Sequence, residues 1–266
     1  MNSENQQALE KFEQLLEIMD KLRAECPWDR SQTSESLRHL TIEETYELSD
    51  AILSHDGDAI RGELGDLMMH LVFYAKIASE RGDFNLAEVL EGINRKLINR
   101  HPHIFGDAVV TSAQEVADNW EKIKLEKEGK NSVLEGVPPS LPPLMKAYRM
   151  QEKARGIGFD WENSQQVWEK VLEEMQELKQ EVENLSPKER LEEEFGDLLF
   201  SLVNYARFIG VNPEDALENT NRKFISRFQY MEDVLNFNGQ KFDQLTLNQM
   251  DKLWEEAKKS EKNQGK

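Results

Sequence analysis

The chain has 266 residues, enough for one large domain or two of ordinary size. It contains 51 acidic and 33 basic residues, and the resulting net charge of -18 would repel the phosphate backbone of DNA or RNA. The single cysteine permits no internal disulfide, and neither a signal peptide nor an apolar run of membrane-spanning length is evident. We therefore expect a cytoplasmic protein with no nucleic-acid or membrane partner.

Apolar residues recur at three- and four-residue spacing along most of the chain, which is the period of an amphipathic helix. In chain order, this pattern predicts helices over 60–78, along the apolar row from Val167 to Leu185, over 186–210 and over 245–259. Segments that alternate with a period of two, as strands do, are hard to find. The sequence therefore predicts an all-α fold.

A proline-rich segment interrupts this helical pattern near the middle of the chain. Four of the eight prolines lie at positions 138, 139, 142 and 143, and two glycines accompany them. Because proline and glycine interrupt helices, we place a linker at 131–147. The linker would join an N-terminal domain at 1–130 to a C-terminal domain at 148–266.

The same series of motifs occurs on both sides of this linker. Each copy contains, in order, a tryptophan-acid-x-Ser-Gln motif, EExxE, E(L/F)GD, NRK(L/F)xxR and a final WE motif with a lysine four residues after its tryptophan. The first copy runs from Trp28 to Lys124 and the second from Trp161 to Lys258. Five elements in one order, at a nearly constant offset, indicate a duplicated domain.

The EExxE and E(L/F)GD motifs predict a cluster of carboxylates. On a helix, Glu174 and Glu177 project within about 60° of each other, beside the apolar stripe. Glu194 and Asp197 flank the expected apolar row of the next helix, and that row consists of Leu191, Phe195, Leu198 and Leu202. Two antiparallel helices packed by these stripes would bring the four carboxylates together. Such a cluster needs a cation, and an all-oxygen site suits Mg²⁺ or Mn²⁺.

Other interpretations of the acidic motifs are open. A run of glutamates on a helix is usually a solvated face, and Thr41 with Glu44 also matches a capping box. A di-iron helical bundle would need a histidine three residues after a glutamate, and none of the five histidines meets this condition. A nucleotide-sensing or scaffold protein that binds metal-nucleotide without cleaving it stays as the alternative function.

Basic and aromatic residues downstream of the acidic motifs suggest a nucleotide ligand. Lys223 and Arg227 lie four residues apart, so they share one helical face and could bind phosphate oxygens. Trp254 and Lys258 have the same spacing and pair an aromatic plane with a cation, although a tryptophan on a helix is more often a core residue. The first copy repeats both pairs at Lys96, Arg100, Trp120 and Lys124.

The two copies differ seven residues after the aspartate of the E(L/F)GD motif. The second copy has Asn204 there, and the first has Phe73. An amide could form hydrogen bonds with a sugar, a phosphate or a base, or could simply be a polar boundary residue, whereas phenylalanine offers apolar contact alone. We therefore expect the second domain to carry most of the activity and the first to be weaker, differently specific or regulatory.

The motif EExxE followed by E(F/L)GD, with CPWDRSQT, NRHPHIFGD and the tandem repeat, resembles the MazG family of nucleoside triphosphate pyrophosphohydrolases in the all-α NTP pyrophosphatase superfamily. The resemblance spans essentially the whole chain. It implies two tandem helical-bundle domains, a homodimer, and Mg²⁺-dependent hydrolysis of NTPs and dNTPs between the α and β phosphates to a monophosphate and pyrophosphate. Mn²⁺ is an alternative cation.

The resemblance also implies functional residues, carried over position by position. In the second copy the catalytic metal ligands would be Glu174, Glu177, Glu194 and Asp197, and the nucleotide contacts would be Lys223, Arg227, Trp254 and Lys258. In the first copy the ligands would be Glu44, Glu47, Glu63 and Asp66, and the contacts would be Lys96, Arg100, Trp120 and Lys124. Either Glu174 or Glu177 would accept the proton of the attacking water.

Overall fold

The computed structural model describes residues 2–107, 115–116 and 132–264. All the regular elements in these residues are helices, which confirms the predicted all-α class. The chain divides into two compact units, residues 1–109 and 110–266, as expected for a tandem repeat. Among the described helices, none is both long and apolar enough to cross a membrane.

The described part of the first unit consists of six helices. They are α1 (Ser3–Glu25), α2 (Pro27–Ser31), α3 (Ser34–Leu53), α4 (Gly57–Arg81), α5 (Leu86–Arg100) and α6 (Pro102–Phe105). Thr33 caps α3 and forms a capping box with Ser36. Thr41 therefore lies inside the helix, where its hydroxyl donates to the Leu37 carbonyl at 3.2 Å. The capping-box alternative for Glu44 is wrong, because the helix begins two turns earlier than that interpretation requires.

The core of the first unit lies between α1, α3 and α4. It is formed by the buried side chains of Met19, Leu37, Val72, Phe73 and Ile77. Full burial of one such side chain stabilises the fold by roughly 1.5–3 kcal/mol, so this cluster fixes how α3 and α4 face each other.

The second unit contains five described α-helices and a short 3₁₀ turn. They are α7 (Pro143–Gly156), α8 (Ser164–Glu183), α9 (Lys188–Phe208), α10 (Pro213–Phe237), the turn Phe242–Gln244 and α11 (Leu247–Gln264). Helix α7 thus begins inside the proline-rich segment. The buried Lys153 of α7 donates to the backbone carbonyls of Val133 and Glu135, at 3.1 and 3.4 Å. These bonds hold residues 133–135 against α7.

Helices α8 and α9 form an antiparallel hairpin, as do α3 and α4 in the first unit. Helix α8 ends at Glu183, earlier than the apolar row predicted. Leu185 has a φ of 51° and is 91% exposed, so it belongs to the turn and not to the helix. Val167 and Val171 of α8 and Val203 of α9 are buried.

The expected apolar row of α9 is only partly covered, because Leu191 and Leu198 are half-buried. Phe195 and Leu202 are exposed, whereas Glu194 and Ser201 are buried. Glu174 and Glu194 therefore lie within the packed face, whereas Asp197 is exposed. The sequence pattern was misleading here. It shows where the apolar side chains lie around a helix, but it does not show which of them another helix covers.

Candidate active site

The hairpin of the second unit brings three of its four predicted carboxylates together. Glu174 on α8 and Glu194 and Asp197 on α9 each offer an oxygen, and these atoms lie within 4.8 Å of one another. Glu174 and Glu194 are only 6% and 7% exposed, whereas Asp197 is exposed. Three converging carboxylate oxygens with one open side fit a hard divalent cation such as Mg²⁺ or Mn²⁺.

The fourth predicted carboxylate, Glu177, lies outside this group of three and is exposed. Its negative charge nevertheless acts on Glu194. Burial is the main cause that raises the pKa of Glu194 above its usual range, and the charges of Glu177 and Asp197 add to it, while Arg190 opposes them. The ionised form of Glu194 is therefore disfavoured mainly by its burial and also by its carboxylate neighbours, and a bound cation would favour that form.

Two cations that we did not predict neutralise the buried glutamates. Lys170 Nζ lies 2.7 Å from a carboxylate oxygen of Glu174, and Arg190 Nη2 lies 2.7 Å from one of Glu194. Each cation precedes its partner by four residues on the same helix. This spacing of opposite charges was the available signal in the sequence. Hydrogen bonds to Glu173 and Glu174 raise the pKa of Lys170 well above its usual range.

The first unit builds the same cluster without these cations. Glu44 on α3 and Glu63 and Asp66 on α4 also have oxygens within 4.8 Å of one another. The two positions one turn before Glu44 and Glu63 hold Leu40 and Ala59. Burial raises the pKa of Glu44, and the neighbouring carboxylates add to this effect. The exposed Glu47 is one of these neighbours and corresponds to Glu177.

A buried histidine distinguishes the first cluster further. His70 follows Asp66 by one turn and is 3% exposed, and its Nδ1 has no hydrogen-bond partner. Burial lowers the pKa of this imidazole, although the charge of Asp66 opposes the shift. The second unit has Ser201 at this position, and its hydroxyl donates to the Leu198 carbonyl at 2.9 Å. The polar atoms next to the two clusters therefore differ.

Two of the predicted nucleotide contacts of the second unit, Arg227 on α10 and Trp254 on α11, lie against each other. The Arg227 guanidinium lies 5.6 Å from the centroid of the Trp254 ring and forms an ion pair with Glu261 at 2.9 Å. Lys258 pairs with Glu255 at 2.7 Å, and Lys223 is exposed. The structure thus brings Arg227 and Trp254 together as one cationic and aromatic surface.

The corresponding residues of the first unit are only partly described. Lys96 and Arg100 lie on α5, where Lys96 is exposed and Arg100 is half-buried. Trp120 and Lys124 lie outside the described residues, so the second pair of this unit stays a prediction.

Asn204 borders a cavity, whereas its counterpart Phe73 is 2% exposed within the core of the first unit. The Asn204 Oδ1 accepts hydrogen bonds from Nε and Nη2 of Arg207, at 3.1 and 2.8 Å. Arg207 in turn donates two bonds to the carboxylate of Asp160. The predicted difference between the two positions therefore corresponds to a difference in accessibility as well as in polarity.

The fold and the sites together define an all-α protein with two helix hairpins, each with a carboxylate cluster suited to a divalent cation. The family model described as the MazG nucleotide pyrophosphohydrolase domain matches the chain twice, at residues 32–105 and 162–231. Each matched region contains one of the clusters. The chain belongs to the MazG family, and it is therefore an enzyme, a hydrolase that acts on acid anhydrides.

Full-length relatives support this assignment. The chain is 46% identical over 251 residues to the nucleoside triphosphate pyrophosphohydrolase/pyrophosphatase MazG of Thermotoga maritima. The aligned residues cover 93% of this chain and 95% of that protein. It is 40% identical over 260 residues to the nucleoside triphosphate pyrophosphohydrolase of Escherichia coli K12. This alignment covers 95% of this chain and 99% of that protein. The similarity thus includes both units.

Proposed function

We propose that the chain hydrolyses nucleoside triphosphates between the α and β phosphates and releases a monophosphate and pyrophosphate, with Mg²⁺ as the required cation and Mn²⁺ as a substitute. The observation that carries this proposal is the cluster of Glu174, Glu194 and Asp197, in which buried carboxylates converge inside a region matched by the family. The names of the two full-length relatives support the same substrate class.

Glu174, Glu177, Glu194 and Asp197 would hold the cation in the second unit, and Glu44, Glu47, Glu63 and Asp66 in the first. A bound divalent cation would neutralise the charge of the triphosphate and lower the pKa of a bound water. The donor set fits this role, because it consists of carboxylate oxygens that converge, and because burial, with a smaller contribution from the neighbouring carboxylates, raises the pKa of Glu44 and Glu194.

The residues of the chain would supply the proton acceptor and the contacts to the phosphates. Glu177 is the candidate that we favour for accepting the proton of the attacking water, because its carboxylate is exposed at the edge of the cluster. Glu174 is already paired with Lys170. Arg227 would bind phosphate oxygens, and Trp254 would lie against the sugar or the base.

The second unit would carry most of the activity. Its cluster has cations one turn away, and Asn204 offers a polar contact at a cavity. In the first unit Phe73 fills that position with an apolar core residue. Binding of metal-nucleotide without cleavage is therefore the second candidate function, and it applies to the first unit.

The exposed apolar residues of both hairpins support a homodimer. They lie at corresponding positions, which are Ile42, Leu64, Met68 and Leu71 in the first unit and Leu172, Phe195, Leu199 and Leu202 in the second. Exposed apolar rows of this kind usually mark an interface. Light scattering during size-exclusion chromatography should give the mass of a dimer, and Leu199→Glu should shift the protein towards monomer.

The reaction is tested by incubating the full chain with a panel of NTPs and dNTPs, with and without Mg²⁺, and separating the products. A monophosphate and pyrophosphate, formed only with the cation, are expected. A diphosphate and inorganic phosphate would contradict the proposed cleavage site. Nucleotide-dependent thermal stabilisation without any product would instead support the sensing alternative.

A further inference from the structure

The carboxylate cluster of the second unit contains its own counter-charges. Lys170 Nζ lies 2.7 Å from a carboxylate oxygen of Glu174, and Arg190 Nη2 lies 2.7 Å from one of Glu194. Both glutamates are more than nine-tenths buried, so water and salt screen these two ion pairs less than they screen pairs on the surface. The two cations therefore offset part of the negative charge that would attract a divalent ion.

The first unit has apolar residues where these cations lie in the second. Leu40 and Ala59 precede Glu44 and Glu63 by one turn. The charges that act on the pKa of Glu44 come from three neighbouring carboxylates, and all of them raise it. Both clusters still offer three converging carboxylate oxygens. The two units thus differ in the charges next to the metal ligands and not in the ligands.

The counter-charges of the second unit are partly shared. Both cations also pair with glutamates outside the cluster, which are Glu173, Glu181 and Glu193. Among the charges that act on the pKa of Glu194, that of Arg190 nevertheless has the largest effect, although Glu181 acts in the opposite direction. The outer glutamates therefore weaken the counter-charge without cancelling it.

A counter-charge at this distance has a large effect on the binding of a divalent ion. Mg²⁺ binds a carboxylate oxygen at about 2.1 Å, so a cation paired with the same carboxylate lies about 6 Å from the bound ion. At that separation one unit charge changes the affinity for a divalent ion about tenfold at low ionic strength, even at the dielectric constant of water.

We propose that Lys170 and Arg190 weaken the binding of free divalent ions to the second unit, so that this unit takes up its metal together with a triphosphate, whereas the first unit binds free metal. This inference rests on the proposed pyrophosphohydrolase function. The triphosphate supplies the negative charge that the two cations offset. Metal and nucleotide therefore bind the second unit with positive coupling, and each tightens the binding of the other by the same factor.

The first test compares the two clusters with metal alone. Mn²⁺ is titrated at low ionic strength into the full chain carrying Asp66→Ala, which leaves the second cluster intact, or Asp197→Ala, which leaves the first. Electron paramagnetic resonance measures the free Mn²⁺. We expect Asp197→Ala to bind Mn²⁺ about tenfold more tightly than Asp66→Ala does. Equal affinities, or tighter binding by the second cluster, would overturn the proposal.

The second test removes a counter-charge in the Asp66→Ala background. Lys170→Met should raise the Mn²⁺ affinity of the second cluster by about fivefold to tenfold, and Lys170→Arg, which keeps the charge, should bind as the parent does. Arg190→Met is an independent variant with the same expected gain. Lys179→Met, which removes an exposed pair with Glu183 on the same helix, is the control. Circular dichroism checks that each variant is folded. Parental affinity in both methionine variants at positions 170 and 190 would refute the role of these cations.

The third test adds a nucleotide that resists the proposed cleavage, the α,β-methylene analogue of ATP. Mn²⁺ binding is measured with and without the analogue and corrected for the Mn²⁺ that the free analogue binds. The analogue should tighten Mn²⁺ binding in Asp66→Ala more than it does when Lys170→Met is also present, since less positive charge is then left for the triphosphate to offset. Equal coupling in the two proteins would contradict the link between metal and nucleotide.

The outcomes separate this inference from the proposed function. If pyrophosphate is released but the Mn²⁺ affinities do not follow the counter-charges, only this inference fails. If neither cluster binds Mn²⁺, with or without the analogue, and no nucleoside triphosphate is hydrolysed, the proposed function fails and the inference fails with it.

Discussion

Lys170 Nζ lies 2.7 Å from a carboxylate oxygen of Glu174, one turn later on the same helix. The glutamate side chain is 8% exposed and the lysine side chain 36%. A carboxylate buried to this degree needs a partner, and here the chain itself supplies one. In the first unit Leu40 precedes Glu44 by the same interval, so the two clusters differ in local charge.

Lys170→Met should destabilise the cation-free protein. The substitution leaves a buried carboxylate without its partner, and because the lysine is partly exposed we expect a loss of about 1 kcal/mol. Mg²⁺ should restore more stability to the variant than it adds to the wild type. Urea unfolding with and without Mg²⁺ measures both effects. Lys179→Met, which removes an exposed pair with Glu183, is the control. Equal losses in the two variants would contradict the prediction.

Asp197→Ala and Asp66→Ala should have unequal effects on turnover. Asp197 lies in the cluster that we propose as the principal site, and we expect its loss to lower kcat/KM at least about a hundredfold. Asp66→Ala should retain most of the activity. Both proteins should keep the helical circular dichroism of the wild type, as should the control Glu192→Gln at an exposed site on α9. Retained activity in Asp197→Ala would refute the assignment of this cluster.

Arg227→Lys should raise KM more than it lowers kcat. Lysine keeps the positive charge but loses the planar guanidinium that lies over Trp254 and that can bind two phosphate oxygens at once. We expect KM for ATP to rise by about tenfold, and steady-state kinetics measures this change. Arg222→Lys, on the same helix and paired with Glu218 as Arg227 is with Glu261, is the control. If both variants match the wild type, Arg227 does not contact the substrate.

Stability at acidic pH should depend on Glu80. The hydrogen bond from Arg23 is the main cause that holds the pKa of Glu80 below its usual range. A depressed carboxyl pKa adds stability that is present above the unfolded-state pKa of about 4.3 and is lost as the pH falls through the folded-state value. Glu80→Gln should therefore lower Tm at pH 7, by on the order of 2–4 °C, and much less near pH 3.

Thermal unfolding between pH 3 and pH 7 tests this dependence. Glu13→Gln changes an exposed glutamate of α1 and serves as the control, with a curve close to that of the wild type. A constant difference between Glu80→Gln and the wild type at all pH values would show that the ion pair does not contribute to the acid transition.

The helices, the duplication and three of the four predicted carboxylates of each cluster could be predicted from the sequence. These features depend on local periodicity and on spacing along a helix, as with Glu194 and Asp197 one turn apart. The capping-box alternative for Thr41 and the apolar row through Phe195 misled for one shared reason. The first depends on where a helix begins, and the second on which face of a helix its neighbours cover. The spacing of residues alone determines neither the start of a helix nor its covered face.

The sequence by itself determined which residues carry charge and on which helix face they lie, because that information is local. Only the tertiary structure decided that Glu174 and Glu194 lie inside the hairpin and that Phe73 is a core residue. It also placed Gln151 and Asn204 at one cavity. Gln151 and Asn204 are 53 positions apart in the chain, and helix packing brings both to the lining of this cavity. The same packing buries the Gln151 Oε1 without a hydrogen-bond partner.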